Sequence, residues 1–181
     1  GVFYCAPGSG IIKAINRGDK RKFISIEIDL DNEEEFIEFN DQENFINLLQ
    51  ETGLWNSFRT RPFNRTPAIS DIPKGIFINC CDTNPLSVDP YEIIKYDQDL
   101  FDLGLEILVK KFECDIYVNY QNDKFEKNNK SVTYTQFSGP HPAGLSSTHI
   151  SQLCPVNLNK IVWTILLRFT GQSCDICVPV S

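Results

Sequence analysis

The stretch that decides the fold is GIFINC at residues 75–80, followed by DPYE at 89–92 and CDIYVNY at 114–120. A short, continuous apolar run is typical of a parallel strand that is buried on both faces. An Asp N-cap, a Pro at the first helical position and a Glu three residues after the cap predict the start of a helix of about 20 residues. A strand, a helix and a strand in this order predict a parallel β-α-β crossover.

Two more strands are predicted on the C-terminal side of this crossover. They cover residues 131–137 and 161–167, and a loop rich in glycine and proline separates them. Apolar side chains on one face of the helix and on the inward face of the following strand supply the core. These are Ile94, Phe101, Leu105, Leu108, Ile116 and Val118. We therefore predict an α/β domain over residues 44–137 and a separate segment over residues 138–181.

The N-terminal part is predicted to be β structure. Residues 11–15 and 23–30 form two strands, and Gly18 supplies a positive φ in the tight turn between them. The second strand alternates isoleucine or leucine with polar residues, as a half-buried strand does. The acidic run at 31–43 is interpreted as a solvated linker. A short helix after it ends at Gly53.

Length and composition limit the kinds of protein that this sequence encodes. The 181 residues carry a net charge of −7, 41% hydrophobic residues and no methionine. The apolar fraction is sufficient for a packed core, and the negative charge argues against a protein that coats nucleic acid. No apolar run approaches the ~18–20 residues of a membrane-spanning helix, and no signal-peptide pattern is present. Because the sequence lacks an initiator methionine, we expect a fragment of a longer protein.

The seven cysteines favour a reducing compartment. Their number is odd, and the adjacent pair Cys80-Cys81 in an apolar strand is typical of buried free thiols, not of a disulfide framework. Cys174 and Cys177 have the spacing of a redox or zinc pair. A zinc site needs two more ligands, and no second Cys or His pair has the right spacing. The sequence therefore predicts no metal site.

Two polar segments are candidates for a binding site. The loop with Asp82 and Asn84 follows the strand at 75–80, which is where ligands bind in open α/β sheets. The same residue types are also the ordinary caps of a βα turn. Arg59 and Arg61 follow a helix end, where they either clamp an anion or bond to the backbone or a neighbouring carboxylate.

Other motifs lack part of the chemistry that they suggest. Gly8 and Gly10 begin a phosphate-binding pattern, but Lys13 stands at the third glycine position and the following segment is β. Lys13 and Lys20 lie near turns in a segment that resembles a biotinyl- or lipoyl-type barrel-sandwich, without the flanking residues of a modified lysine. No catalytic triad or metal constellation can be assembled around the two histidines of the chain. We therefore predict no catalytic residue.

The motif GPHPAGLSSTHI at residues 139–150 resembles a family signature. The pattern G-P-H-P-A-G-x-x-x-T-H-I characterises the A subunit of the sodium-translocating NADH:quinone reductase, and further motifs of that family occur here in the same order. They are APGSG at 6–10, AINRGDKR at 14–21, GLW at 53–55, RTRPF at 59–63, DTNPL at 82–86 and KIVWTI at 160–165. The resemblance covers about residues 1–165.

The resemblance implies a peripheral subunit on the cytoplasmic face of the bacterial inner membrane. The complex of that family oxidises NADH, reduces ubiquinone and exports sodium ions. The resemblance implies that FAD, FMN, riboflavin and the 2Fe-2S centre belong to other subunits, and that this chain binds no cofactor. Its partners would be those subunits, including membrane subunits, and ubiquinone. The implied fold is mixed α+β and α/β: a partial barrel-sandwich segment at 1–30, a Rossmann-like domain at 44–137 and a β-grasp-like segment from residue 138.

The resemblance also points to individual residues. Two prolines that fix φ and two glycines that allow tight backbone shape the signature loop. These are Gly139, Pro140, Pro142 and Gly144. His141 and His149 hydrogen-bond either a quinone carbonyl or a backbone carbonyl. Arg59 and Arg61 are candidates for a subunit interface.

The sequence departs from the family in three places, and two other functions stay open. The part of the barrel-sandwich before Gly1 is missing, Ser151 replaces a second histidine, and residues 166–181 do not fit the family's continuation. One alternative is a free-standing α/β module that binds a small molecule in the loop after Cys81. The other is a flavin- or cluster-bearing oxidoreductase, which would need a clustered cysteine spacing that the chain lacks.

Overall fold

The computed structural model describes residues 3–6, 8–31, 33 and 44–166. The chain divides into two compact units, Gly1–Gly53 and Leu54–Ser181. Apart from residues 31 and 33, the predicted acidic linker lies outside the described residues. So do Cys174, Cys177 and the rest of the segment after residue 166.

A β-hairpin and a short helix make up the described part of the first unit. β1 (Gly10–Arg17) pairs antiparallel with β2 (Phe23–Leu30), and α1 spans Phe45–Glu51. Gly53 follows the helix with a φ of 75°, a left-handed conformation that ends many helices and that glycine adopts readily. The two predicted strands and the predicted helix end are therefore confirmed.

The hairpin turn differs from the prediction in the residues that take a positive φ. Gly18 has a φ of −94°, while Lys20 and Arg21 have φ values of 54° and 63° within a 3-10 turn at Asp19–Arg21. The Gly18 amide donates to the Lys22 carbonyl at 2.8 Å, which closes the turn. The prediction for Gly18 was wrong because residues other than glycine also adopt this conformation in turns, at some cost.

The two faces of the hairpin differ in chemistry. On the polar face, Lys13 pairs with Asp29 at 3.3 Å, and Asn16 donates to Glu27 at 2.7 Å. On the other face, Ile28 is partly buried, and the remaining isoleucines and Leu30 are 47–63% exposed: Ile12, Ile15, Ile24, Ile26 and Leu30. The alternation predicted for β2 is present, and within the described part of the first unit most of its apolar side chains are exposed.

A five-stranded sheet forms the centre of the second unit. Its strands are β3 (Phe58–Arg61), β4 (Gly75–Cys80), β5 (Asp115–Tyr120), β6 (Thr133–Gln136) and β7 (Val162–Leu166). Their order across the sheet is β3-β7-β4-β5-β6. All neighbouring pairs are parallel except β3 and β7. The predicted parallel pairing of β4 with β5 is confirmed.

Up to residue 166, three α-helices accompany this sheet: α2 (Tyr91–Ile94), α3 (Gln98–Lys111) and α4 (Ser146–Leu153). The single helix of about 20 residues predicted after residue 89 is wrong, because Asp97 leaves the helical conformation with a φ of −129° and separates α2 from α3. The prediction also missed α4, whose serines and threonine are weak helix formers. Of the described helices, α3 is the longest with 14 residues, and none of them could span a bilayer.

β7 corrects the predicted boundary after residue 137. It lies between β3 and β4, pairing Trp163 with Ile76 on one side and with Thr60 on the other. Residues 138–166 therefore complete the sheet that residues 58–136 begin, and they do not open a separate β-grasp-like part. Strand pairing over this distance in sequence leaves no local pattern, so periodicity could not reveal it.

The core of the second unit consists of the predicted apolar residues and an aromatic cluster. Ile94, Phe101, Leu105, Leu108, Ile116 and Val118 are at most 7% exposed, as predicted. Against the β3–β7 side, Trp163 lies 5.4–5.6 Å from the rings of Trp55, Phe58 and Phe112. These four aromatic side chains fix the edge of the sheet opposite to β6.

Candidate functional site

The carboxyl ends of β4, β5 and β6 meet at one edge of the sheet. Cys80 lies opposite Tyr120, and Tyr120 lies opposite Gln136. β5 and β6 extend the sheet to one side of β4, and β7 extends it to the other. Ligands of open α/β sheets bind beyond the carboxyl ends of the strands. The loops that leave this edge therefore form the candidate site.

An open cleft of about 570 Å³ lies among these loops. Its lining comes from the loop after β4, the loop after β5 and the residues that follow β6. The polar lining residues include Asp82, Thr83, Asp89, Asn122, Asp123 and Lys124. Three carboxylates and one ammonium group give the walls an acidic character, which disfavours ligands that carry phosphate.

Asp82 lines the cleft, whereas Asn84 hydrogen-bonds to Asp82. The Asn84 amide and Nδ2 donate to Asp82 Oδ1 at 2.9 and 2.6 Å. Partial burial opposes ionisation of Asp82, but hydrogen bonds from Ser87 and Asn84 outweigh it and hold the carboxyl pKa below its usual value. Asp82 is therefore a fixed negative charge at the cleft.

Two further carboxylates connect the loops of the cleft. Asp89 Oδ1 accepts a hydrogen bond from the Tyr91 amide at 3.0 Å, which fulfils the predicted capping role at the start of α2. Asp89 Oδ2 accepts from Asn122 Nδ2 at 2.9 Å. Asp123 accepts from the side chain of Gln136 at the end of β6. The acidic side chains thus connect the loop after β4, the loop after β5 and the end of β6.

The signature loop is fastened to the loop after β4 through Gly144. The Gly144 amide donates to Thr83 Oγ1 at 3.0 Å, and the Gly144 carbonyl accepts from Asn79 Nδ2 at 3.0 Å. Asn79 Oδ1 also accepts from the Cys81 amide at 3.1 Å. A Cβ on Gly144 would come within 2.7 Å of the Thr83 nitrogen, so only glycine fits. Asn79 and Thr83 were not predicted, although an asparagine inside an apolar strand was a signal for Asn79.

His149 is buried on α4 beneath the same loop. Its Nε2 donates to the Ala143 carbonyl at 2.7 Å, and its ring packs against Phe137 at 4.0 Å. Of the two predicted alternatives, the structure has the bond to a backbone carbonyl. Burial lowers the His149 pKa below 6.5, although the bond to Ala143 acts in the opposite direction. The neutral ring therefore holds the loop from below.

The acid sensitivity of the second unit should depend on His149. Its folded pKa lies below the unfolded value of 6.5, so the unfolded chain binds more protons as the pH falls through that value. We expect the full stabilisation above that pH and a progressive loss below it. Urea unfolding between about pH 7.5 and about pH 5 tests this. His149→Gln keeps a donor but does not titrate, and its stability should fall less steeply; equal slopes for both proteins would contradict the assignment.

His141 and the remaining signature residues lie on the exposed side of the loop. Gly139 lines the cleft and has a φ of 130°, a conformation that favours glycine. His141 is exposed, with Nδ1 3.4 Å from Thr83 Oγ1. The Pro140 carbonyl accepts from the Ala143 amide at 2.9 Å, and the Pro142 carbonyl accepts from Thr148 Oγ1 at 2.9 Å. The motif thus encodes a tight turn that ends on α4.

Arg59 and Arg61 lie away from the cleft, on the edge strand β3. Arg61 pairs with Val162 at the start of β7, whereas the cleft lies beyond the ends of the parallel strands. Arg59 Nη1 donates to Thr66 Oγ1 at 2.7 Å and to the Phe58 carbonyl at 3.2 Å. Arg59 therefore bonds within the chain, which is one of the two predicted alternatives, and neither arginine lines the cleft with Asp82.

Two of the five described cysteines have the properties of inert thiols. Cys5, Cys80, Cys81, Cys114 and Cys154 form no disulfide with one another. Burial and the nearby carboxylate of Asp89 raise the pKa of Cys81 to about 12. Burial likewise raises the pKa of Cys114 to about 11. Across residues 44–166 and the described parts of the first unit, no group of three or more His, Cys, Asp or Glu side chains could hold a metal ion.

Comparison with known proteins identifies both parts of the chain. The family model described as "NqrA second alpha/beta domain" matches residues 40–168, and the one described as "NqrA N-terminal barrel-sandwich hybrid domain" matches residues 1–31. The first of these matches spans more than half of the chain. Both agree with the resemblance that the signature motif suggested.

Curated relatives agree with the family models. The A subunit of the Na(+)-translocating NADH-quinone reductase of Yersinia pseudotuberculosis is 39% identical over 177 residues, and that of Hahella chejuensis is 40% identical over 181 residues. Each match covers 91% of this chain and 39% of the relative. The Klebsiella pneumoniae protein of the same name is 38% identical over 174 residues. The chain spans about two fifths of the length of these relatives. With two matching domains and identity at this level, the chain belongs to the NqrA family.

Proposed function

We propose that this chain is part of the NqrA component of a sodium-translocating NADH:quinone reductase and acts there as a scaffold without redox chemistry of its own. Identity of 38–40% to proteins of that name over about nine tenths of the chain carries this proposal. The complex would oxidise NADH, reduce ubiquinone and export sodium ions as a step of respiratory electron transport. The other subunits are its proposed partners, and its proposed location is the cytoplasmic face of the inner membrane.

The chemistry of the described residues supports a scaffold. The cleft walls are acidic, which is unfavourable for the phosphate of FMN or FAD. The raised pKa values of Cys81 and Cys114 disfavour the thiolates that an iron–sulfur cluster requires. We therefore assign FAD, FMN, riboflavin and the 2Fe-2S centre of the complex to its other subunits. The strand order and the reversal between β4 and β7 support a Rossmann-like fold for the second unit.

Purification of the complex tests the proposed membership. An affinity tag on this chain, used on detergent-solubilised membranes of the source organism, should retain sodium-stimulated NADH:quinone reductase activity together with the other subunits. A matched tag on an unrelated membrane-associated protein controls for carry-over. Elution of the chain alone, with all of the activity in the unbound fraction, would contradict the proposal.

We further propose that the exposed side of the signature loop lies close to quinone in the complex. The exposed His141 ring, whose Nδ1 lies 3.4 Å from Oγ1 of the cleft residue Thr83, supports this, because an exposed imidazole can donate to a quinone carbonyl. His149 is 0% exposed and its Nε2 is already bonded to Ala143, so its contribution would be to hold the loop. Trp55 and Trp163 are also buried, so their fluorescence reports the core and not this loop.

A photoreactive ubiquinone analogue on the intact complex tests the role of His141. We expect labelling of the peptide that contains the signature loop, competition by unlabelled ubiquinone, and weaker labelling in His141→Ala. Ser147→Ala, at an exposed position of α4, is the matched control and should label like the wild type. Labelling confined to other subunits would remove quinone proximity and leave the scaffold role intact.

The cleft supports a second candidate function, a module that binds a small polar molecule by itself. Asp82 is ionised and held at the wall of a cavity of about 570 Å³, which suits a cationic or hydroxylated ligand. Metabolite binding to the purified chain, measured by calorimetry with the wild type and Asp82→Asn, distinguishes this function. Saturable binding that is lost in Asp82→Asn would favour it over a pure scaffold.

A further inference from the structure

We propose that the loop of residues 82–88 docks the second unit onto a protein partner, with Leu86 inserted into an apolar pocket of that partner. The partner surface around the pocket is basic and faces the acidic cleft. This inference rests on the proposed function, since the partner is another subunit of the same complex. It adds the residues that make the contact.

Leu86 occupies a position that suits neither its side chain nor its backbone in the isolated chain. It is 104% exposed relative to an extended reference, and its φ is 64°. Leucine disfavours this left-handed region, whereas Gly or Asn would adopt it readily. Val88, two residues later, is also 63% exposed. The combination of an exposed apolar side chain with a disfavoured backbone conformation is the observation that points to a contact covered by another molecule.

The loop is held in this shape before any partner binds. Asp82 accepts two hydrogen bonds from Asn84, and the Ser87 amide donates to the Asn84 carbonyl at 3.2 Å. Thr83 is bonded to Gly144 of the signature loop at 3.0 Å. A loop that is ordered in advance loses little conformational entropy on binding, which favours its use as an anchor.

The charge around Leu86 selects a protein partner over a lipid surface. The loop begins and ends at the acidic cleft, because Asp82, Thr83 and Asp89 all line it, and Asp123 adds a third carboxylate. The whole chain carries a net charge of −7. Anionic headgroups would be repelled by this surface, whereas Lys or Arg side chains around an apolar pocket would be attracted.

Substitution of Leu86 in the purified complex tests the docking role. Leu86→Asn removes the apolar side chain and suits a positive φ, so the variant should fold at least as stably as the wild type. We expect its dissociation constant from the other subunits to rise about tenfold or more, as for a buried leucine lost from an interface. Leu158→Asn, at another residue that is 76% exposed, is the control and should bind within about twofold of the wild type.

A charge variant and lipid vesicles complete the experiment. Asp123→Asn keeps the acceptor for Gln136, and it should weaken association and reduce its dependence on salt. If Leu86→Asn binds the other subunits as tightly as the wild type does, this inference is overturned and the proposed function stands. A wild-type chain that does not join the complex would overturn both. The third outcome concerns phosphatidylcholine–phosphatidylglycerol vesicles. If the chain binds them through Leu86, and Leu86→Asn still assembles normally with the other subunits, the proposal of a protein partner is overturned.

Discussion

Gly144→Ala is expected to destabilise the second unit by about 2–4 kcal/mol, since overpacking and lost buried hydrogen bonds add to one another. The new Cβ would lie 2.7 Å from the Thr83 nitrogen and 2.9 Å from Thr83 Oγ1. Backbone cannot retreat as the end of a flexible side chain can, so the signature loop must move. That movement lengthens the bonds from Gly144 to Thr83 and to Asn79 together.

Chemical denaturation of the wild type and two variants measures this effect. Ser138→Ala is the control in the same loop, because Ser138 is exposed, and it should stay within about 0.5 kcal/mol of the wild type. Increased hydrogen exchange at the amides of Gly144 and Leu145 should accompany the loss in Gly144→Ala. A variant as stable as the wild type would show that the loop is not fastened at this point.

Trp163→Ala is expected to cost about 3–5 kcal/mol, the range for removing a large aromatic side chain from a packed core. Trp163 is 1% exposed and contacts the rings of Trp55, Phe58 and Phe112 at 5.4–5.6 Å. It also lies in β7, the strand that joins β3 to the rest of the sheet. The substitution would therefore leave a cavity beside β7, the one strand that connects β3 to β4.

The two tryptophans provide a matched comparison within the same cluster. Trp55 Nε1 donates to the Pro67 carbonyl at 3.0 Å, whereas Trp163 Nε1 has no acceptor among the described residues. Trp55→Phe leaves a buried carbonyl without its donor, and Trp163→Phe removes an unpaired buried donor. We therefore expect Trp55→Phe to be the more destabilising of the two in urea unfolding. The reverse order would show that packing outweighs hydrogen bonding in this cluster.

Several elements followed from local pattern alone. The apolar run at 75–80 and the alternation at 115–120 predicted β4 and β5, because each strand carries its own burial pattern. Asp89 was identified as a helix cap from its spacing to Glu92 and caps α2 through Tyr91. The signature motif at 139–150 identified the family that the comparisons confirm. Each of these strands, caps and motifs is encoded by residues that are close together in the sequence, so it can be recognised without the tertiary structure.

The candidate site could be predicted only in part. Asp82 was predicted from its position beyond a parallel strand, where ligands bind in such sheets, and it lines the cleft. The cleft itself requires Asp89, Asn122 and Asp123, which come from two loops that no motif relates. Arg59 and Arg61 attracted attention by their charge, yet β3 places them away from the cleft. The charge of a side chain makes it a candidate for binding, but it does not show at which edge of the sheet the residue lies.

By itself, the sequence determined the family, the β4–β5 crossover, most of the core and the tight backbone of the signature loop. Tertiary structure alone decided that β7 lies between β3 and β4, so that residues 138–166 belong to one sheet with residues 58–136. It also decided that Gly144 bonds to Asn79 and Thr83, 65 and 61 residues away. Local patterns arise from neighbouring residues, whereas these contacts exist only after the chain has closed long loops, and no short stretch of sequence records them.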